Sequence, residues 1–374
     1  MKSIRVLVMT MPVLLAACST GQSSSPSQSP GATPTTPAYA VLVSQVSSEQ
    51  SQSGGPISLV GADGKVVAFV PRPFQPPSGF QLPQTSISAT RVYYLQGCCD
   101  VHFLTPTGET GLTTRLPGTA QAQVVFAVSP NDQRIAVSVL ERSAEAFPSL
   151  THVRLYVEDL VGGGHHVDLF NSSNEFVWPL GWHGGNVVVA VGPPAVQAAP
   201  PNPYGSFGGY RLIDATTGSI RASLATEGCL PTGPLSAAGT ACRGQQEWAS
   251  MDWKGAVSHH FRAQGPADGY GALSPLGDKV AVCCGSGPPA SVPGSFQGII
   301  GPDGNGPITV NGMWWDPGWI DETHLVVRVS PPYNKFTNPT PLPDQVFVYD
   351  LVTRAMIQVT DSGFYAGRIP GALG

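Results

Sequence analysis

The feature that most narrows what this chain can fold into is a degenerate internal repeat. Two stretches carry it most clearly: Phe126-Ala127-Val128-Ser129-Pro130-Asn131-Asp132-Gln133-Arg134-Ile135-Ala136-Val137 and Gly271-Ala272-Leu273-Ser274-Pro275-Leu276-Gly277-Asp278-Lys279-Val280-Ala281-Val282. In each, an apolar run leads into Ser-Pro, which opens a tight turn. Asn131-Asp132 or Leu276-Gly277 completes the turn and alternating apolar residues resume the next strand. A fixed internal period decides the architecture of a whole chain, because so small a unit cannot bury its apolar faces alone and must stack on its neighbours.

A second recurrent unit is a hairpin closed by an Asp, Gly or Thr cluster. Val346 to Thr360 runs as a strand, then Asp350-Leu351-Val352-Thr353, then another strand. Leu155-Tyr156-Val157-Glu158-Asp159-Leu160 ahead of a Gly-rich turn repeats it, as does Leu212-Ile213-Asp214-Ala215-Thr216-Thr217-Gly218, with looser copies at 57–70 and 101–116. With 44 Gly and 37 Pro among 374 residues and only 11% charged, the chain is turn-rich and charge-poor. That balance excludes coiled coils and the clustered Lys and Arg of nucleic-acid binders, while 41% hydrophobic residues suffice for a sizeable core.

Together the two units resemble the four-stranded blades of the β-propeller family whose best-known member is TolB, and WD40-like repeats more broadly. A family blade reads strand, Ser-Pro-Asp-Gly turn, strand, then a strand ending in Asp before a Thr-Gly turn. This chain departs from the pattern at Asn131-Asp132 and Leu276-Gly277, which stand where the family has Asp-Gly, and four blades lack the Ser-Pro turn. The resemblance implies an all-β fold of four-stranded blades at about 41–71, 85–117, 122–170, 175–225, 227–262, 268–311 and 312–360. Residues 39 to 374 number 336, and 336 divided by seven is 48, comparable with known propeller repeats; six or eight blades fit the same length. A pair of β-sandwiches is the competing architecture. Ring closure calls for a strand from one terminus to complete the blade of the other, and either Tyr39 to Val43 or the tail after Phe364 can serve. Pro-rich stretches at 192–209, 288–293 and 331–343 read as long rim loops, where binding usually sits.

Upstream of the repeats, residues 1–17 carry Lys2 and Arg5 followed by an apolar run too short to span a bilayer. The run ends in Leu15-Ala16-Ala17-Cys18, which resembles the bacterial lipobox. The resemblance implies cleavage before Cys18 and a diacylglyceryl group on its sulfur, an anchor that two acyl chains make durable. From Ser19 to Ala38 there is only Ser, Thr, Pro, Gly, Gln and Ala, so residues 18–38 read as a lipidated Cys with a disordered tether, and 39–374 as the folded body. Removing 1–17 takes two of 19 basic residues and leaves 17 against 24 acidic ones, a formal charge of −7. Neither anionic lipid nor nucleic acid would attract such a body. The expected location is the extracytoplasmic side of a bacterial cell membrane.

Six cysteines remain after Cys18, an even count that in an exported protein points to disulfides. Cys229 and Cys242 flank a hairpin-like segment and are expected to pair. Cys98-Cys99 and Cys283-Cys284 have two solutions, vicinal bridges or bridges between the pairs. Their assignment to blades two and six, which are not neighbours, favours vicinal bridges. Redox sensing through these pairs is the sharper alternative, but no C-x-x-C motif is present. His165-His166 and His259-His260 alternate across a strand and cannot readily chelate one metal, so no metal site and no cofactor are expected. All seven Trp lie between 178 and 319. They read as wedges between blades, with Trp314, Trp315 and Trp319 as weak candidates for a binding platform.

No G-x-S-x-G, P-loop or H-E-x-x-H occurs. Asp252, Asp268, Asp316 and Asp321 are equally good turn residues, so no catalytic set is named. The preferred reading is a lipid-anchored, non-enzymatic binding or scaffold module for a protein or cell-envelope partner. The alternative is an envelope-acting hydrolase or lyase with its site in the funnel, where carboxylates or a His from different blades would have to converge.

Overall fold

The computed structural model describes residues 37–43, 56–71, 85–97, 99–119, 122–143, 150–192, 209–225, 229–231, 233–244, 247–262, 269–283, 298–301, 304–308, 313–330, 344–359 and 363–371, with the backbone alone at 142, 230, 304–305, 307 and 313–316. The leader, Cys18, the tether to Thr36, Cys98 and Cys284 lie outside them. No helix among the described residues is long and apolar enough to cross a membrane.

Among the described residues, twenty-eight strands form seven four-stranded antiparallel sheets. Blade 1 contains β1 (Tyr39–Val43), β2 (Ile57–Gly61) and β3 (Val66–Val70); its innermost strand is the last of the chain, β28 (Phe364–Ile369). Blade 2 is β4 (Thr85–Ile87), β5 (Val92–Gln96), β6 (Asp100–Leu104) and β7 (Thr110–Arg115), and blade 3 is β8 (Ala122–Val128), β9 (Arg134–Arg142), β10 (Leu150–Asp159) and β11 (Val167–Ser172). Blade 4 follows with β12 (Phe176–His183), β13 (Asn186–Gly192), β14 (Tyr210–Asp214) and β15 (Ile220–Leu224). Blade 5 is the most irregular: β16 (Leu230–Pro231), β17 (Thr240–Arg243), β18 (Trp248–Met251) and β19 (Val257–Phe261). Blade 6 has β20 (Tyr270–Leu273), β21 (Val280–Cys283), β22 (Gly298–Gly301) and β23 (Gly304–Pro307); blade 7 has β24 (Met313–Trp319), β25 (His324–Ser330), β26 (Gln345–Asp350) and β27 (Met356–Val359). This is a seven-bladed β-propeller, and the seven sheets fall close to the seven segments read from the repeat.

Both faces of the central strands are buried, which explains why they read as continuous apolar runs rather than alternating ones. In β13, Val187, Val189 and Val191 pack toward blade 3, while Val188 and Ala190 pack with Met251 and Trp253 of blade 5. In β25, Leu325, Val327 and Val329 face blade 6, and Val326 faces blade 1. Seven apolar clusters straddle the seven interfaces between consecutive blades, the last of them joining blade 7 to blade 1 through Ala40, Leu42, Ile320, Val346 and Tyr365. Of the two closing strands offered by the sequence, β28 supplies the inner strand and β1 is its neighbour, with Tyr39 opposite Ile369 and Val43 opposite Phe364.

Candidate binding rim

Strands within a blade alternate in direction, so its four connections divide between two rims. The inner hairpin turns, between first and second strands, and the outer ones, between third and fourth, lie on one rim. The remaining connections lie on the other. All of the long connections, 44–56, 71–84, 193–209, 284–297 and 331–344, belong to this second or loop rim.

The turn rim is built from short polar residues that satisfy their own backbone. Ser129 Oγ accepts the amide of Arg134 at 2.9 Å and Ser274 Oγ that of Lys279 at 3.3 Å, so the two Ser-Pro turns close alike. Asp252 Oδ1 takes the amides of Lys254 and Ala256, both at 2.9 Å, and Asp321 Oδ1 takes those of Thr323 at 2.7 Å and His324 at 2.9 Å. Hydrogen bonding from Arg221, then from the Thr216 and Thr217 amides, holds Asp214 far below the ordinary carboxylate range. Thr353 does the same, less strongly, for Asp350. At Asp321 burial opposes the charge, but the Thr323 amide and the His324 ring outweigh it and its pKa is lowered. Two of the four carboxylates weighed as catalytic candidates, Asp252 and Asp321, are thus turn caps. Asp268 and the Asp316 side chain lie outside the described residues.

Contacts between blades run around this same rim. Gly371 N donates to Ser88 O at 2.6 Å, joining blade 1 to 2, and Thr90 Oγ1 donates to Asp132 Oδ2 at 2.7 Å, joining 2 to 3. Trp182 Nε1 donates to Ala127 O at 2.9 Å across blades 3 and 4. His183 stacks on Trp253 of blade 5 at 4.9 Å, and Ser236 Oγ of that blade donates to Ser274 O at 2.7 Å. Trp319 Nε1 donates to Ala272 O at 2.8 Å, and Arg368 Nη1 donates to Ile320 O at 3.0 Å, which closes the ring. Tyr93, whose hydroxyl donates to Asp132, has its pKa raised by burial and then by that carboxylate.

Two of these clasps form a motif. Trp178-Pro179-Leu180-Gly181-Trp182 and Trp315-Asp316-Pro317-Gly318-Trp319 share the pattern W-x-x-G-W, and the ladder register shifts within both. A bulge re-aims the side chain that follows it, here the second Trp, whose indole reaches the carbonyl three residues ahead of Pro130 or Pro275 in the preceding blade. Trp319 is therefore buried (3% exposed) and presents no open platform, whereas the side chains of Trp314 and Trp315 lie outside the described residues.

The described base of the loop rim also carries Arg–carboxylate pairs. Arg211 meets Glu175 bidentately at 2.5 and 2.7 Å just after the 193–209 connection, a geometry that fixes orientation as well as charge. Arg328 pairs with Asp344 at 3.3 Å and Ser330 Oγ donates to the same carboxylate at 2.6 Å, closing the base of 331–343. The sequence reading missed these clasps because each joins residues far apart in the chain. Cys229 and Cys242 are disulfide-bonded, with Cα atoms 5.1 Å apart, and both are buried between blades 4 and 5. Cys99 in blade 2 and Cys283 in blade 6 are each disulfide-bonded, and Cys98 and Cys284 lie outside the described residues. Among the described residues no group of three or more His, Cys, Asp or Glu side chains could hold a metal ion.

No family model matches the chain, and no curated protein is similar to it in sequence. Similar solved structures include a dihydro-heme d1 dehydrogenase, with 11% identity and a TM-score of 0.44, covering 90% of this chain and 76% of that one. A TolB-like protein of Agrobacterium tumefaciens has 15% identity and a TM-score of 0.35 over 69% of this chain and 88% of its own. The WD40 domain of SCAP from fission yeast has 9% identity and a TM-score of 0.38 over 86% of each chain. The propeller assignment rests on the seven sheets of the chain itself.

Proposed function

We propose that this protein is exported, anchored by lipid on Cys18, and works as a binding or scaffold module whose loop rim holds a protein or cell-envelope partner. One observation carries the binding role: the long connections all open on one rim, above bases clasped by Arg211–Glu175 and Arg328–Asp344, while the polar side chains of the other rim are engaged by their own turns. A ring that gathers its long connections on one rim is suited to recognition. The anchor and the extracytoplasmic location rest on the leader and on Leu15-Ala16-Ala17-Cys18.

The test is cross-linking of the anchored protein in its own cells followed by mass spectrometry, with Cys18→Ala as the mislocalised control. The expected result is a reproducible partner cross-linked through 193–209 or 331–343 and lost in the control. No specific partner, together with turnover of an envelope sugar or peptide by the mature protein, would overturn the scaffold reading in favour of a hydrolase or lyase.

A further inference from the structure

We infer that the turn rim is the membrane-facing side of the ring, and that the loop rim is carried outward toward a partner lying beyond the anchoring lipid surface. The inference rests on the lipid-anchor reading above and adds a polarity to it.

Strand direction supplies the first argument. β1 is the second strand of blade 1 and runs from the turn rim to the loop rim. Its first residue, Tyr39, stands opposite Gly61, where the outer turn Gly61 to Lys65 begins, and opposite Ile369, beside the Gly371–Ser88 contact. A chain arriving from Cys18 therefore joins the body at the turn rim. The strands set a ring thickness of about 20 Å at ~3.3 Å per residue. With the loop rim toward the lipid, the chain from Cys18 would have to traverse this thickness before reaching Tyr39 at the turn rim.

The distribution of apolar side chains is the second, independent argument. The three most exposed large hydrophobic residues among those described, Val352 (76%), Val161 (72%) and Leu276 (72%), all sit at turn tips on the turn rim, in blades 7, 3 and 6. Ile220 and Val257 flank the outer turns of blades 4 and 5 on the same rim, whereas Phe69 (60%) sits at the loop-rim end of β3 and Leu112 (61%) midway along β7. Solitary aliphatic tips spread around one rim form no groove for a peptide, but together they suit shallow contact with a lipid surface. The turn-capping carboxylates of the rim are charged at neutral pH, so the surface that fits is zwitterionic rather than anionic.

The test uses the full lipidated chain in phosphatidylcholine vesicles carrying an acceptor dye on a fraction of the headgroups. A donor is placed through a genetically encoded amino acid at Val352 on the turn rim or, separately, at exposed Glu141 at the loop-rim end of β9. The offset of about 20 Å between the two positions is expected to give about twofold more energy transfer from 352 than from 141. Equal transfer, or more from 141, while the protein still floats with the vesicles, would overturn the polarity and leave the anchor standing. If the native chain, like Cys18→Ala, failed to float, the anchor reading itself would fall and this inference with it.

Discussion

Deleting the sealing strand, by ending the chain after Gly363, should unfold the ring rather than trim it. β28 contributes the innermost strand of blade 1 and buries Tyr365 and Ile369, at 8% and 3% exposure. Burying two such side chains stabilises by about 1.5–3 kcal/mol each. Three hydrogen bonds to neighbouring blades are lost as well: Tyr365 hydroxyl to Trp319 O at 2.8 Å, Arg368 to Ile320 O, and Gly371 N to Ser88 O. At about 1 kcal/mol net each, they bring the loss to roughly 6–9 kcal/mol, comparable with the ~5–15 kcal/mol that separates most folded domains from their unfolded chains. The ladder to β1 goes too, leaving Ala40 and Leu42 on an open edge. Thermal unfolding followed by circular dichroism should show no cooperative transition for the truncated body. The graded control Tyr365→Phe should lose about 1–2 kcal/mol, because one neutral bond goes and a buried carbonyl is left unpaired. A truncated body that melted in a single sharp transition within about 5 °C of the intact one would refute closure as the source of stability.

Other perturbations probe single clasps. Gly318→Ala drives a Cβ into the Tyr365 ring, and overpacking of that kind costs about 1–3 kcal/mol; chemical denaturation should show the drop, and an unchanged midpoint would disprove the close packing of blades 7 and 1. Cys229→Ser with Cys242→Ser should cost about 3 kcal/mol, given a sequence separation of 13, and a melt insensitive to reductant would contradict it. Asp321 titrates lower in the folded protein than its ordinary value of 3.8. Its stabilising contribution is therefore complete above about pH 4 and is lost as pH falls through the lower folded value, so Asp321→Asn should flatten the acid limb of a stability-versus-pH curve, and an unaltered limb would count against the assignment.

The repeat made the blades legible because stacking forces the same pattern on each: two apolar faces per strand, and a turn whose residue types are dictated by its backbone. Ser129-Pro130 and Ser274-Pro275 mark inner turns, and Asp214 and Asp350 mark outer ones, for reasons local to the hairpin. Blade 5 carries no Ser-Pro mark on its inner turn, although Asp252 caps its outer one: its inner strand is only Leu230–Pro231, and its inner turn is a single bridge from Ser236 to Gly239. Spacing alone placed it. The rim clasps stayed hidden because Arg211 and Glu175, or Trp253 and His183, meet only after two sheets or two ends of one sheet have formed. Trp319 shows the same limit. Its residue type fits a platform or a wedge, and only the neighbouring Ala272 carbonyl decides between them.

That carbonyl also suggests why the two clear Ser-Pro turns stand where they do. Blades 3 and 6 carry them, and the next blades, 4 and 7, carry W-x-x-G-W on the inner strand. The indole needs an acceptor at a fixed height, and the turn supplies one because the carbonyls of Ala127 and Ala272 each lie three residues ahead of the proline. The clasp recurs at both junctions where the two motifs follow one another, blades 3 to 4 and blades 6 to 7. The clasp ties inner strands together near their turn-rim ends, on the rim opposite the long connections.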